Sequence, residues 1–215
     1  MKTGFAFIGT LLALILFTSS EIATDQDRQI FKLVKISNQL WMIENLNVSV
    51  YRNGDSIPQV KSPAEWSKLK TGAWCYYENN IDNSDKYGKL YNWYAVNDSR
   101  GLAPAGLHIP SDEEWTQLVE NLGGYGSGAK IKAKRGWKKN QDATNETSFS
   151  GLPGGYRYNV GAFLYAGNNA CFWSSTNSEK DKDKAWGRTL NSNFSDVGRD
   201  TGNKGSGLSV RCVRN

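Results

Sequence analysis

A chain of 215 residues with 39% hydrophobic side chains fills one sizeable core and hardly two, so a single domain is expected. Eight Trp, ten Tyr and eight Phe beside 22 Gly and only two Met favour short strands and tight turns over long helices, which excludes a helical bundle. The formal net charge of +5 is a mild excess spread along the chain and points to no polyanionic partner without a clustered patch.

Lys2 precedes an apolar run from Phe5 to Phe17, broken only by Gly9 and Thr10, and Thr18-Ser19-Ser20 then supplies small residues before Glu21. This order predicts a signal peptide over residues 1–20, cleaved after Ser20 or Ala23, and a secreted, periplasmic or cell-surface protein. The run is too short to cross a bilayer core of roughly 30 Å as an ordinary helix, so no transmembrane segment is expected after cleavage. No Cys lies near its end, which argues against a lipid anchor. Residues 21–29 read as a short polar tail and residues 30–215 as the domain, opening on a strand at Phe31–Val34.

Ser62-Pro63-Ala64-Glu65 and Ser111-Asp112-Glu113-Glu114 each place a Ser three residues before a Glu, the pattern that lets a cap and a first turn satisfy each other's free N–H groups. In the second, Trp115, Leu118, Val119 and Leu122 recur at helical spacing before Gly123-Gly124 stops the run, which predicts an amphipathic helix packed on a sheet. Another short helix is expected within Tyr87–Val96. Strands are expected at Gly72–Tyr77, Phe149–Tyr158, Gly161–Tyr165, Cys171–Ser175, Ala185–Leu190 and Gly207–Val213, between Gly, Asn and Asp turns. The class is α+β, loop-rich, with short helices and twisted antiparallel strands.

Few residues are placed for catalysis. Cys75, Cys171 and Cys212 allow at most one intramolecular disulfide in an oxidising compartment; the pair is not determined, and the odd thiol reads as a small buried apolar side chain. The sole histidine, His108, precedes the second helix, where a structural role is the simpler reading than a general base, and one histidine makes no His-rich metal site. A glycoside-hydrolase pair can be drawn from Glu44, Asp112, Glu113 and Glu114, but helix capping already accounts for the last two. The run Gly123 to Gly128 lacks the Lys-Ser/Thr of a phosphate loop and reads as a flexible loop. The basic stretch Lys130 to Lys139 reads as a solvated loop with Trp137 packed, so no nucleic-acid partner is expected. The acidic stretch Glu78 to Asp85 offers oxygen ligands to Ca²⁺ without the EF-hand pattern and reads as a polar turn; no cofactor is expected, Ca²⁺ being the one alternative.

Six ordered blocks carry a family resemblance: Gln39 to Asn47, Tyr87 to Val96, Gly106 to Trp115, Phe149 to Arg157, Phe172 to Thr176 and Gly207 to Arg214. Together they resemble the Fibrobacter succinogenes major paralogous domain family, over essentially Gln39 to the C-terminus. That family is distantly similar to the formylglycine-generating branch of the C-type-lectin-like fold, so the resemblance implies a C-type-lectin-like domain. Relatives carry Cys-Pro-x-Gly where this chain has Ala103-Pro104-Ala105-Gly106, so their disulfide pattern does not carry over as it stands. Formylglycine-generating enzymes use a close pair of cysteines near the closing strand, and Asp200 to Ser206 holds none before Cys212. The calcium-dependent sugar motifs of lectins are absent as well.

Tyr, Asn, Ser, Asp and Gly fill Tyr156–Asn169, Asn177–Lys184 and Asn191–Ser206, a composition that suits recognition loops. Tyr158, Asn159, Tyr165, Asn168, Asn169, Asn191, Asn193 and Asp200 are expected to converge on one face as the ligand-binding set. The expected function is a binding or display module, not an enzyme, that recognises a glycan or a cell-surface protein. The alternative is a structural component of a cell-surface assembly with no small ligand; a hydrolase ranks third.

Overall fold

The computed structural model describes residues 21–24, 30–139 and 142–214; the expected signal peptide and residues 25–29 lie outside them. In chain order come strands β1 (Glu21–Thr24), β2 (Ile30–Ile36) and β3 (Gln39–Met42), helix α1 (Pro63–Trp66), strand β4 (Trp74–Cys75), helix α2 (Ser84–Tyr87), strand β5 (Leu90–Tyr91), helix α3 (Trp93–Val96) and strand β6 (Leu107–His108). Helices α4 (Asp112–Asn121) and α5 (Ser127–Ile131) follow, then strands β7 (Tyr156–Arg157), β8 (Phe163–Leu164), β9 (Asn169–Asn177), β10 (Lys184–Asn191), β11 (Val197–Asn203) and β12 (Val213–Arg214). The α+β class is as expected.

Two sheets set the frame. One runs in the order β1-β2-β3-β12-β6, the other β11-β10-β9, and the short pairs β4-β5 and β7-β8 fill between. All these pairings are antiparallel. The closing strand sits between the first and the middle of the chain: Val213 pairs with Trp41 on one side and His108 on the other. Upstream of it, the Met42 N–H donates to the Cys212 carbonyl at 2.9 Å and the Leu46 N–H to the Val210 carbonyl at 2.8 Å.

α4 forms as its sequence dictates. The Ser111 hydroxyl accepts from the Glu114 N–H at 3.1 Å while the Glu114 carboxylate accepts from the Ser111 N–H at 2.8 Å, the reciprocal cap. Gly123 and Gly124, at φ 96° and 70°, turn the chain out of the helix in a conformation other residues avoid. Trp115 and Leu118 are fully buried. Trp115 lies 4.6 Å from Trp41 and 5.5 Å from Phe172, ring centre to ring centre, so one aromatic cluster joins α4 to both sheets.

Several expectations need correction. Residues 21–24 pair with β2 where a polar tail was expected. Tyr87–Val96 is not one helix: Tyr87 ends α2, Leu90–Tyr91 pairs as β5 with β4, and only Trp93–Val96 follows as α3. Between Phe149 and Tyr158 only Tyr156–Arg157 pairs as a strand; Pro153 offers no N–H, and Gly155 sits at φ 63°. The largest difference is β11, seven residues of strand inside the segment expected as loop. In the basic run, Lys132 points inward instead of into solvent: it is 1% exposed and donates to the Phe194 carbonyl at 2.5 Å, with Asp142 at 3.3 Å. Trp137 is buried as expected. The Gly123 to Gly128 run is a turn leading directly into α5, and its Gly126 N–H donates to Asp196 at 2.7 Å, so this loop is tethered to the β10–β11 turn.

Buried cations hold the interior together through carbonyls. Arg211, 1% exposed, donates to the carbonyls of Met42, Ile43 and Phe149 at 2.9, 2.7 and 2.6 Å and to the Asn45 side chain, and stacks 4.3 Å from the Phe149 ring centre. Arg157 does the same for Val60, Lys61 and Gly161, at 2.6, 2.8 and 3.2 Å. Each planar guanidinium thereby ties together segments far apart in sequence.

Candidate functional site

The three-stranded sheet has two faces of opposite character, fixed by its register. Phe172, Arg188 and Arg199 share one cross-strand row, and Ala170, Leu190 and Val197 share the next row on that same face. This face packs on α4. Arg188 and Arg199 both ion-pair with the Asp112 carboxylate at the start of α4, Arg199 at 2.7 Å, and the Arg199 guanidinium stacks 3.7 Å above the Trp186 ring. The two cations hold Asp112 below the usual carboxylate range against the opposing effect of burial, which is the largest single influence on it.

The opposite face carries Cys171, Thr189 and Gly198 in one row, Trp173, Gly187 and Asp200 in the next, and Gly202 beyond. The β9 edge of this face is covered by the segment Gly207–Val210, which pairs with Phe172 through Ser209 and with Arg157 through Gly207. The β10–β11 part remains open as a groove of about 750 Å³. The sheet face beneath it carries Gly187, Thr189, Gly198, Asp200 and Gly202, and Tyr156, Tyr158, Asn169, Lys184, Asn191 and Phe194 also line it. Small residues on the floor are required sterically as well as for space. A Cβ on Gly202 would stand 2.9 Å from the Trp173 ring, and one on Gly187 2.8 Å from the Phe172 carbonyl.

The groove is held rigidly at its turn end. The buried Lys132 ammonium fixes the Phe194 carbonyl, the Ser195 hydroxyl donates to Asp142 at 2.5 Å, and the Ser195 carbonyl accepts from the Ala129 N–H at 3.1 Å. Asn191 donates to the Asn169 side chain at 2.8 Å, so two amides sit fixed at the rim with hydrogen-bonding capacity left over. Phe194 and Tyr158 are 65% and 46% exposed, and together with the half-buried Tyr156 they present ring surface to the groove. Burial raises the Tyr156 hydroxyl above its ordinary range, with lesser contributions from Cys171 and the neighbouring tyrosines.

Of the eight residues expected to converge, Tyr158, Asn169, Asn191 and Asp200 line this groove, and all but Tyr158 stand on strands instead of loops. Tyr165 and Asn168 do not line it: they sit in a neighbouring cleft, with the Tyr165 ring 5.9 Å from that of Tyr156. The Asn193 N–H donates to the Asn191 side chain at 2.8 Å, which assigns that residue to the turn. Asn159 packs against Gly205, outside the groove lining. Tyr156, Thr189, Phe194 and the three floor glycines were not anticipated. The signal for two of these glycines was the alternation Gly198, Asp200, Gly202, which puts them on one face of a strand.

The other candidates are buried or held in hydrogen bonds of their own. Cys75, Cys171 and Cys212 are free and buried, and burial pushes each thiol up to about 12. His108 Nε2 lies 2.7 Å from Glu114, the residue that also caps α4. In the acidic stretch the Asn80 side chain accepts from the Asp82 N–H at 3.0 Å and Asn83 donates to the Tyr77 carbonyl at 2.9 Å, and among the described residues no three His, Cys, Asp or Glu side chains gather as metal ligands.

Neither the curated proteins nor the solved structures contain a match to this chain. A family model does match: the one described as the Fibrobacter succinogenes major domain, over residues 34–214, from within β2 to the end of β12. The chain belongs to the Fibrobacter succinogenes major domain family.

Proposed function

We propose that this protein is an exported binding module that takes a saccharide in the groove over β10 and β11. The observation that carries the reading is the make-up of that groove: aromatic residues Tyr156, Tyr158 and Phe194, a sheet face of glycines, Thr189 and Asp200, and the amides of Asn169 and Asn191. A sugar ring has an apolar face of C–H groups and a periphery of hydroxyls. Aromatic side chains cover the first at low cost in conformational entropy, while amides and a carboxylate pair with the second.

The location and the fold type belong to the same proposal. The N-terminal apolar run supports export, where saccharides are the abundant surface ligands. The order of helix α4 after Ile109-Pro110 and a closing strand through Val213 supports a C-type-lectin-like domain. A non-enzymatic role is supported by the employment of the reactive groups: three thiols held protonated by burial, His108 against Glu114, and Asp112 between two arginines.

The test is a glycan array probed with the mature protein, followed by calorimetry on wild type and Tyr158→Ala. Saturable binding is expected, weakened by about 2 kcal/mol in the variant, with Tm unchanged because Tyr158 is 46% exposed. Binding to no glycan, or binding indifferent to Tyr158→Ala, overturns the reading.

A further inference from the structure

The two carboxylates lining the groove, Asp196 and Asp200, are not equivalent. Asp196 accepts from the Gly126 N–H at 2.7 Å, which ties it to the turn before α5. The Asp200 side chain has no hydrogen bond or ion pair among the described residues. The sheet register explains why. Its neighbours on the same face of β11 are Gly198 and Gly202, and Gly187 stands directly opposite on β10. Diagonally opposite lie Ala185 and Thr189, and the Thr189 hydroxyl is turned to the Cys171 sulfur at 3.8 Å. The carboxylate thus stands on a patch of strand that offers it no polar partner.

The nearby cations are engaged away from it. Arg188 and Arg199 turn to Asp112 on the opposite face, Lys184 pairs with Asp181 at 3.5 Å, and Lys204 donates to the Lys182 carbonyl at 2.7 Å while standing 4.6 Å from the Trp93 ring centre. The groove therefore combines an uncompensated carboxylate with the rings of Tyr156, Tyr158 and Phe194, and both kinds of group attract a cation. Gly198 adds a second, independent observation. Its φ is not left-handed, the β10–β11 register runs past it without a bulge, and a Cβ there would meet nothing closer than the Thr189 carbonyl at 3.4 Å, an ordinary contact. Neither backbone nor packing requires glycine at this position, which leaves close approach of a ligand to the strand as the reason for one beside Asp200.

Resting on the saccharide reading of the groove, we propose that its ligand is an amino sugar with a free, protonated amine, and that Asp200 is the residue that selects it. The ammonium donates to the Asp200 carboxylate, a charge-assisted bond that a neutral hydroxyl does not match. Acetylation of the amine removes the charge, and a uronic acid brings a further negative charge beside Asp196 and Asp200, so both classes are disfavoured. Asp200 is exposed, so water and salt screen the pair, and the preference is several-fold in size.

The experiment is NMR titration of the labelled mature protein, in EDTA, with methyl glycosides of glucosamine, N-acetylglucosamine, glucose and glucuronic acid and their galacto counterparts. In one series or the other the amino sugar is expected to bind about threefold or more tighter than its acetylated and neutral forms, with the acid weakest and the differences shrinking as salt is raised. Asp200→Asn keeps the shape and removes the charge. It should bring the amino sugar down to the affinity of the neutral one, leave the neutral one unchanged and leave Tm unchanged, since no protein contact is lost. Gly198→Thr, a better strand former, should hold or raise Tm while weakening every sugar. Equal binding of amino and neutral sugars, a preference that survives Asp200→Asn, or affinities indifferent to Gly198→Thr overturns the inference; neutral sugars whose binding is lost in Tyr158→Ala then leave the groove reading standing. Lysine amide bound as tightly as the amino sugar also overturns it, because the amine would be recognised without the sugar. Binding of none of these glycosides overturns this inference, and failure across the wider glycan array overturns the groove reading as well.

Discussion

Lys89 offers a sharp test of how this core tolerates charge. It is 4% exposed; its ammonium donates to the Asn47 carbonyl at 2.5 Å and to the Asn47 side chain at 3.0 Å, and it stands 4.5 Å from the Trp74 ring centre and 5.5 Å from that of Tyr76. Burial lowers its pKa from the ordinary 10.5 to about 8. The folded-state pKa is thus below the unfolded one, so between about pH 8 and 10.5 the unfolded chain holds a proton that the folded chain has released, and stability contributed by this group rises with pH across that window. The full shift corresponds to about 3 kcal/mol, of which most should develop by pH 10. Lys89→Met keeps the packing on Trp74 and removes the titration. Urea unfolding of both proteins at intervals from pH 7 to 10 isolates the effect, since the buried tyrosines and thiols titrate in both and cancel in the difference. Wild type is expected to gain on the variant by about 2 kcal/mol or more over this range. Parallel pH profiles would refute a charged, desolvated Lys89.

Arg157→Met is expected to destabilise by about 3–5 kcal/mol in urea unfolding, because it strands the carbonyls of Val60, Lys61 and Gly161 in a buried site. Arg157→Lys should recover little of this loss, since one ammonium cannot reach diverging acceptors as a planar fork does. The three thiols, each raised to about 12, should resist a disulfide reagent at pH 8 in the folded protein and react fully once it is unfolded; rapid labelling of the native state would contradict their burial.

What was legible in the sequence was what local chemistry decides. Ser111 and Glu114 cap α4 regardless of context, and the spacing of Trp115 and Leu118 sets its buried side. β11 was hidden because its strand character is not local. Gly198, Asp200 and Gly202 are poor strand formers, and the strand is fixed by pairing with β10 and by Arg199 reaching Asp112, 87 residues away in sequence. The site shows the same division. Tyr158, Asn169, Asn191 and Asp200 were found through composition, but composition gave no means of seeing that Tyr165 and Asn168 line a different cleft. The roles of Arg157 and Arg211 were not legible either, since nothing near them in sequence marks the cluster of backbone carbonyls each one meets in the core.

The pleat of the β10–β11 hairpin has a consequence for how such a domain can change over generations. Arg188, Arg199 and Leu190 alternate with Thr189, Gly198 and Asp200, so the residues that bolt the hairpin to α4 and those that meet the groove point in opposite directions. Exchanging Thr189 or Asp200 alters the chemistry of the floor without touching the Asp112 clamp, because their side chains stand on the opposite face of the sheet from Arg188 and Arg199. A duplicated copy of this chain can therefore drift toward a new ligand through one row of side chains while its anchorage is inherited intact.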